Sequence, residues 1–211
     1  MIVSTSLIRR RDDLTNEQFR RHWLDPHGPL TAKLPGTRYY DQNHVLPDAS
    51  GTNATARALR IDGFPILAFD NAERRREAHT SPQMAACNLD SRDFIGAVSR
   101  VIGDDHDARR PVQSDGLIKQ LLLLPRGEST PYLSSLISVL DGMETSIVHT
   151  ILEQGAAPNS TVPFIGVDVE AFAEVWTRTR QDIERNATKI ADIAAGLATF
   201  EVDVVNFIRN G

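Results

Sequence analysis

The 211-residue chain carries 23 Lys and Arg against 28 Asp and Glu, a formal net charge of −5. That balance excludes the basic surface that nucleic acid or an anionic membrane requires. With 41% hydrophobic and 24% charged residues, a chain of this length buries roughly 70% of its unfolded surface and needs no disulfide or metal staple; its single cysteine, Cys87, excludes a disulfide framework and a cysteine-rich zinc site.

The N-terminus opens directly into a strand-like run, Ile2 to Arg9, without the basic start and cleavage site of a signal peptide. No apolar stretch approaches the ~20 residues of a membrane-spanning helix. A soluble, cytoplasmic protein is expected, and the sequon at Asn53 carries no weight. The arginine runs 9–11 and 74–76 are broken by Asp12, Asp13, Glu73 and Glu77, and read as solvated surface.

Thr15 and Gln18 have capping-box spacing, with Leu14 and Phe19 placed as a hydrophobic staple, so a helix starts here. Phe19 and Trp23, four apart, share its apolar face. Asp25-Pro26-His27-Gly28-Pro29 predicts a kink or restart, because each proline disfavours α geometry at the residue before it. Pro29 then opens a new turn carrying Leu30 and Leu34, and His27 is held at the bend. Arg38 to Leu46 reads as a strand, 51–58 as a polar loop, and Ile61 to Phe69 as a third strand that Pro65 assigns to an edge or bulge. One helix or two short ones span about 71–95, with Cys87 as a buried, inert thiol. A strand near Ala97 to Ile102 completes a βαββαβ, ferredoxin-like order.

Residues 103–114 read as a linker, after which the pattern recurs: a strand at Leu117 to Leu124, and a helix capped at Thr130 with Leu133, Leu136, Ile137 and Leu140 on one stripe. Strands follow at Ser146 to Leu152 and Phe164 to Val167. Apolar steps of three and four from Phe172 through Trp176, Thr179, Ile183, Ala187 and Ile190 to Leu197 predict one long helix, and Phe200 to Ile208 is the last strand. The expected fold is α+β: two ferredoxin-like repeats, 1–103 and 114–211, packed sheet-to-sheet as a pseudo-dimeric α+β barrel around a cavity.

The first repeat resembles the EthD family of the dimeric α+β barrel superfamily. The resemblance rests on Arg9-Arg10, Leu14 to Phe19, His22-Trp23, His27 to Leu30, Leu34 to Tyr40, Gln42 to Val45, Asp62-Gly63 and Ser81-Pro82. It implies a barrel closed by two ferredoxin-like sheets with a mostly apolar cavity, and a link to the breakdown of small organic molecules. Muconolactone-type isomerases share the superfamily; their helix histidine resembles His27 and their tyrosine after the turn resembles Tyr40. The cysteine of the methylmuconolactone isomerases falls at Leu67, and their further histidine has no counterpart between Pro47 and Arg60. That isomerisation therefore cannot run here in the same way.

His27 is the candidate general acid or base, its bland alternative being a histidine that ties the bend together. On the resemblance it points into the cavity mouth. Tyr40, Gln42 and His44 alternate on one strand face, which either lines the cavity or packs under the helices. Tyr40 is the candidate donor to a developing oxyanion or a packed aromatic; His44 also reads as structural. Trp23, Gln42, His44 and Leu67 are the expected substrate pocket. His22, Asp25 and His27 are badly spaced for a metal, 104–107 lack the pattern of a calcium loop, and His149 and Trp176 read as core. No phosphate-cradling glycine loop or serine elbow is present, so no metal or cofactor is expected. The expected function is binding, or cofactor-independent acid/base conversion, of a small hydrophobic oxygenated metabolite. A non-catalytic carrier and a cofactor-free or haem-dependent monooxygenase are the alternatives. Expected partners are that small molecule and a second copy in a homodimer, with no nucleic acid and no membrane.

Overall fold

The computed structural model describes residues 1–104, 116–126, 135, 138–140, 145–156, 162–191 and 196–209. Strand β1 (Ile2–Arg10) leads into α1 (Asn16–His22). The Thr15 amide donates to Gln18 Oε1 at 2.8 Å while Thr15 Oγ1 accepts from the Gln18 amide at 3.1 Å, the reciprocal cap read from the sequence. At the prolines the chain does not kink apart. A single π turn, Trp23–His27, carries it straight into α2 (Gly28–Thr31). Pro26 has no N–H to give, and the widened turn lets the Gly28 amide reach Trp23 O instead.

Strand β2 (Thr37–Val45) follows, then α3 (Ala54–Leu59), in the stretch expected to be a loop. The overlooked signal is Asn53, whose side chain accepts from the Ala56 amide at 2.8 Å. The same side chain donates to Leu197 O at 2.9 Å, and its backbone amide to Thr199 O at 3.1 Å. Asn53→Ala is accordingly expected to cost about 0.5–2 kcal/mol, the range of lost helix caps, and urea denaturation measures it as a lower midpoint at unchanged slope.

Strand β3 (Gly63–Phe69), α4 (Ala72–His79), α5 (Pro82–Ser91) and β4 (Ile95–Asp104) complete the first half. β3 is not an edge: it pairs with β1 and β2 at once. The ladder to β1 has no partners at Phe64 and Pro65, which accommodates the missing proline N–H, while Gln42 stays opposite Pro65 on the other side. Arg9 and Arg10 are not merely solvated. Arg9 Nη2 donates to Leu59 O at 2.9 Å, and Arg10 pairs with Asp62.

The second half supplies β5 (Ile118–Pro125), β6 (Thr145–Gly155), β7 (Val169–Thr177), α6 (Arg180–Ala191) and β8 (Ala198–Arg209). Gly103 and Asp104 end β4, and the rest of the expected linker lies outside the described residues. Of the helix expected after Thr130, residues 135 and 138–140 are described and helical, and the remainder lies outside. Phe164 forms an isolated bridge to Val98 rather than a strand. The long helix through Phe172 and Trp176 is not formed. Those residues lie on β7, whose Ala171, Ala173 and Val175 pack with Ile190 and Leu197 on the helical side. Phe172 instead joins the core cluster that holds Leu121 and Leu123. Both faces of β7 are buried, so the alternation of a half-exposed strand is missing, and its large residues happen to fall four apart. The true helix start is a second capping box: the Asp182 amide donates to Thr179 Oγ1 and the Thr179 amide to Asp182 Oδ2, both at 3.1 Å.

The eight strands close into a barrel in the order β1-β3-β2-β8-β5-β7-β6-β4. Read from β4, the first half contributes β4-β1-β3-β2, and the second contributes β8-β5-β7-β6. The groups meet along their edges, antiparallel at β2–β8 and at β4–β6, so no edge is left unpaired. One strand face points to the barrel interior, where Val3, Leu7, Ile66, Leu121, Phe172 and Phe200 form one apolar cluster. The other face carries the helices: Ile8 and Val98 pack with Phe19, Trp23 and Phe94, and Phe69 with Leu34 and Ala78.

Candidate functional site

His27 closes the π turn and is buried to 9% exposure. Its ring does not look into the barrel. It lies in the helical layer, 4.9 Å from the Phe94 ring, because α1, the π turn and α2 all sit on the outer face of the sheet. Nδ1 is 2.8 Å from Asp90 Oδ2 on α5, and His22 Nε2 is 3.1 Å from Asp90 Oδ1. An ionised carboxylate can only accept, so both ring nitrogens donate to it. The bond from His27, ahead of that from His22, holds the Asp90 carboxyl below its usual range. Once its Nδ1 is committed as donor, a neutral His27 presents a lone pair at Nε2, which has no hydrogen-bond partner among the described residues. Asp90 was invisible in the sequence: it lies 63 positions from His27, on an exposed-looking stretch with no motif around it.

The row Tyr40, Gln42 and His44 also faces outward, so of its two expected placements the one beneath the helices holds. Gln42 Nε2 donates to Trp23 O at 2.7 Å and to Tyr40 Oη at 2.9 Å. His44 Nε2 is 3.1 Å from Gln42 Oε1, which can only accept, so the proton is on Nε2. His44 packs on the Trp23 indole with ring centres 4.3 Å apart. A Cβ at Gly63 would run into that indole, which explains why glycine is needed where β3 passes under the π turn. Tyr40 stacks on Phe207 at 5.1 Å, and burial raises its hydroxyl well above the usual phenol range, keeping it a proton donor. Its hydroxyl also meets Thr31, whose Oγ1 is 3.8 Å from the buried Cys87 Sγ. Leu67, opposite Tyr40 in the β2–β3 register, packs with the cluster of Leu34, Phe69 and Ala78.

Two sets of contacts therefore flank the π turn. His27, His22, Asp90 and Phe94 form one; Tyr40, Gln42, His44, Trp23 and Phe207 form the other. The structure gives His27 and Tyr40 different neighbours, and Phe207 and Thr31 join the second set unannounced by the sequence. Among the described residues no group of three His, Cys, Asp or Glu is arranged to hold a metal ion, and no helix is long and apolar enough to cross a membrane.

Residues 11–97 match the EthD domain. Across nearly its whole length the chain shares its fold with solved structures. An anthrone oxidase-like protein is 8% identical with TM-score 0.61, covering 97% of this chain and 92% of that one. A monooxygenase-like protein from Lactobacillus acidophilus is 9% identical with TM-score 0.57, covering 100% and 96%. An EthD family protein from Bacillus halodurans is 20% identical with TM-score 0.41, covering 50% of this chain and 99% of its own. No curated protein matches the sequence.

Proposed function

We propose that the chain binds a small hydrophobic, oxygenated metabolite in the helical layer outside its barrel and converts it by acid/base chemistry, with His27 as the proton-transfer group and Asp90 orienting it. The observation that carries this is the 2.8 Å contact between His27 Nδ1 and Asp90. It fixes the tautomer and leaves Nε2 to take a proton from a substrate and return it, while the carboxylate stabilises the imidazolium in between. Tyr40 is the hydrogen-bond donor to a substrate oxygen in this reading, with Trp23, Gln42, His44 and Leu67 around it. The chemistry needs no cofactor.

The two strand groups are in this reading two ferredoxin-like repeats, 1–103 and 114–211, forming a pseudo-dimer. Their matching strand order supports it, as does the closure of both seams within one chain. The barrel thus satisfies internally what a homodimer of single repeats would supply, and a further homodimer would use other surfaces.

His27→Ala is expected to lower turnover of a converted substrate by about 10²–10⁴, the usual yield of a positioned acid/base group. Asp90→Asn should act less severely and shift the pH profile, because it removes the orienting charge. The stability that Asp90 contributes is complete above the ordinary carboxyl value of 3.8 and is lost as the pH falls through the depressed folded value, and Asp90→Asn abolishes that part of the acid limb. Unchanged turnover in His27→Ala refutes the assignment. A second reading follows from full-length likeness to oxidase-like and monooxygenase-like proteins: the same pocket directs attack of oxygen on the bound metabolite. Oxygen uptake dependent on candidate substrate, with or without a Soret band, separates the two. A ligand retained in native mass spectrometry but never converted identifies a carrier instead.

A further inference from the structure

Away from the helical layer, the barrel end at which β1 and β2 finish and β3 begins is capped by α3 and contains a cavity of about 250 Å³. Its floor is apolar. Val45, Ala56 and Ile61 belong to the same cluster as the barrel interior. Its walls carry three guanidinium groups, Arg10, Arg57 and Arg60, against the single carboxylate of Asp62. Arg10 is neutralised there, since Asp62 takes both its amide, at 2.8 Å, and its guanidinium. Arg57 donates from Nη1 to Thr52 O, a neutral partner that leaves its charge uncompensated. Among the described residues the Arg60 side chain pairs with Asp12, at 3.0 Å, with both side chains well exposed to water, where such a pair is screened and weak. Two cationic groups therefore border an apolar hollow in a protein whose overall charge is negative.

The backbone adds an independent sign. Arg60 has φ +52°, the one non-glycine residue with positive φ among the described residues. It ends α3 in the left-handed position that glycine or asparagine normally fills. Arg9 holds it there, donating to Arg60 O at 3.3 Å and to Leu59 O at 2.9 Å. An arginine kept in a conformation that favours glycine is more costly than the fold alone requires, and its side chain is what the site gains.

We infer that this barrel-mouth cavity binds an organic monocarboxylate with a compact apolar body, its carboxylate held by Arg57 and Arg60 and its hydrocarbon part set on Val45, Ala56 and Ile61. A guanidinium fork matches a carboxylate in two-point geometry, and the apolar floor excludes a fully hydrated anion. The site shares no residue with the set proposed around His27, so it stands or falls separately from the proposed function.

The test is calorimetric titration of the full chain with benzoate, and in parallel with inorganic phosphate. Saturable benzoate binding that weakens at least about tenfold in Arg57→Met, with phosphate binding much more weakly, is the expected result. Arg60→Gly is the decisive second variant: it relieves the left-handed backbone, so its melting temperature should rise while its benzoate affinity falls. No saturable benzoate binding in the millimolar range overturns the inference. So does binding that both variants leave unchanged, or phosphate binding as tight as benzoate.

Discussion

Replacing Glu174 with leucine is expected to lower the unfolding free energy by about 3–5 kcal/mol, the loss seen when one member of a buried ion pair is removed. Lys119, Glu174 and His149 come from three neighbouring strands and all point into the barrel, on the same faces as Leu121, Phe172 and Ile151. Lys119 is 2% exposed, and Glu174 and His149 are fully buried. Lys119 Nζ is 2.7 Å from Glu174 Oε2, His149 Nε2 is 2.9 Å from Glu174 Oε1, and the ammonium sits 5.0 Å from the Trp176 ring. The lysine contact is close but poorly aligned as a hydrogen bond, so it acts chiefly through charge. Without Glu174 the Lys119 ammonium is left in an apolar interior, and His149 Nε2 loses its acceptor while Nδ1 keeps its 3.2 Å contact with Asp104 O. The double variant Glu174→Leu with Lys119→Met removes both charges and should recover most of the loss. Urea midpoints at constant slope decide the matter. A single variant as stable as the parent would show that water already reaches the pair.

The second large effect is on acid stability, through His44. Burial, with a smaller contribution from the charge of Arg20, pushes its pKa down from 6.5 to about 3. The cause is visible in its contacts. Nε2–H is committed to Gln42, so a second proton would have to enter at Nδ1, which is buried without a partner. The unfolded chain therefore binds a proton that the folded chain refuses. Between pH 6.5 and 3 stability rises with pH, and it is fully present above 6.5. Each pH unit inside that window costs about 1.4 kcal/mol per proton excluded. His79, pushed down to about 4 mainly by burial and then by Arg75 and Arg100, acts in the same direction. His44→Gln keeps a donor toward Gln42 and removes the titration, so the slope of stability against pH should fall by about one proton equivalent. An unchanged slope in chemical denaturation at pH 6, 5 and 4 refutes this account.

What was legible in the sequence follows from where its signals are local. The capping box at Thr15 and Gln18, the four strands of the first half, and β5, β6 and β8 of the second are set by neighbours a few residues apart, and local chemistry suffices to place them. Asn53 and the Thr179–Asp182 box are equally local. They were overlooked because a polar run masked one, and a chance four-residue spacing of Phe172 and Trp176 drew the other into a longer helix. Neither needed tertiary information.

The site belongs to a different category. His27 and the row Tyr40, Gln42 and His44 stand out in the sequence because proline restriction and period-two alternation single them out. Which way they face does not follow from that, since a strand inside a closed barrel buries both faces and alternation then names two sides without telling inside from outside. The pairing of edges β2–β8 and β4–β6 settles it, turning that row toward the helices and Lys119, His149 and Glu174 toward the barrel axis. Asp90 reaches His27 only because α5 packs beside the π turn, a contact between residues 63 positions apart. Local chain chemistry thus determines which residues carry hydrogen-bonding and proton-transfer capacity. Long-range burial decides which of them meet, because the free energy that brings them together is the packing of whole strand and helix faces.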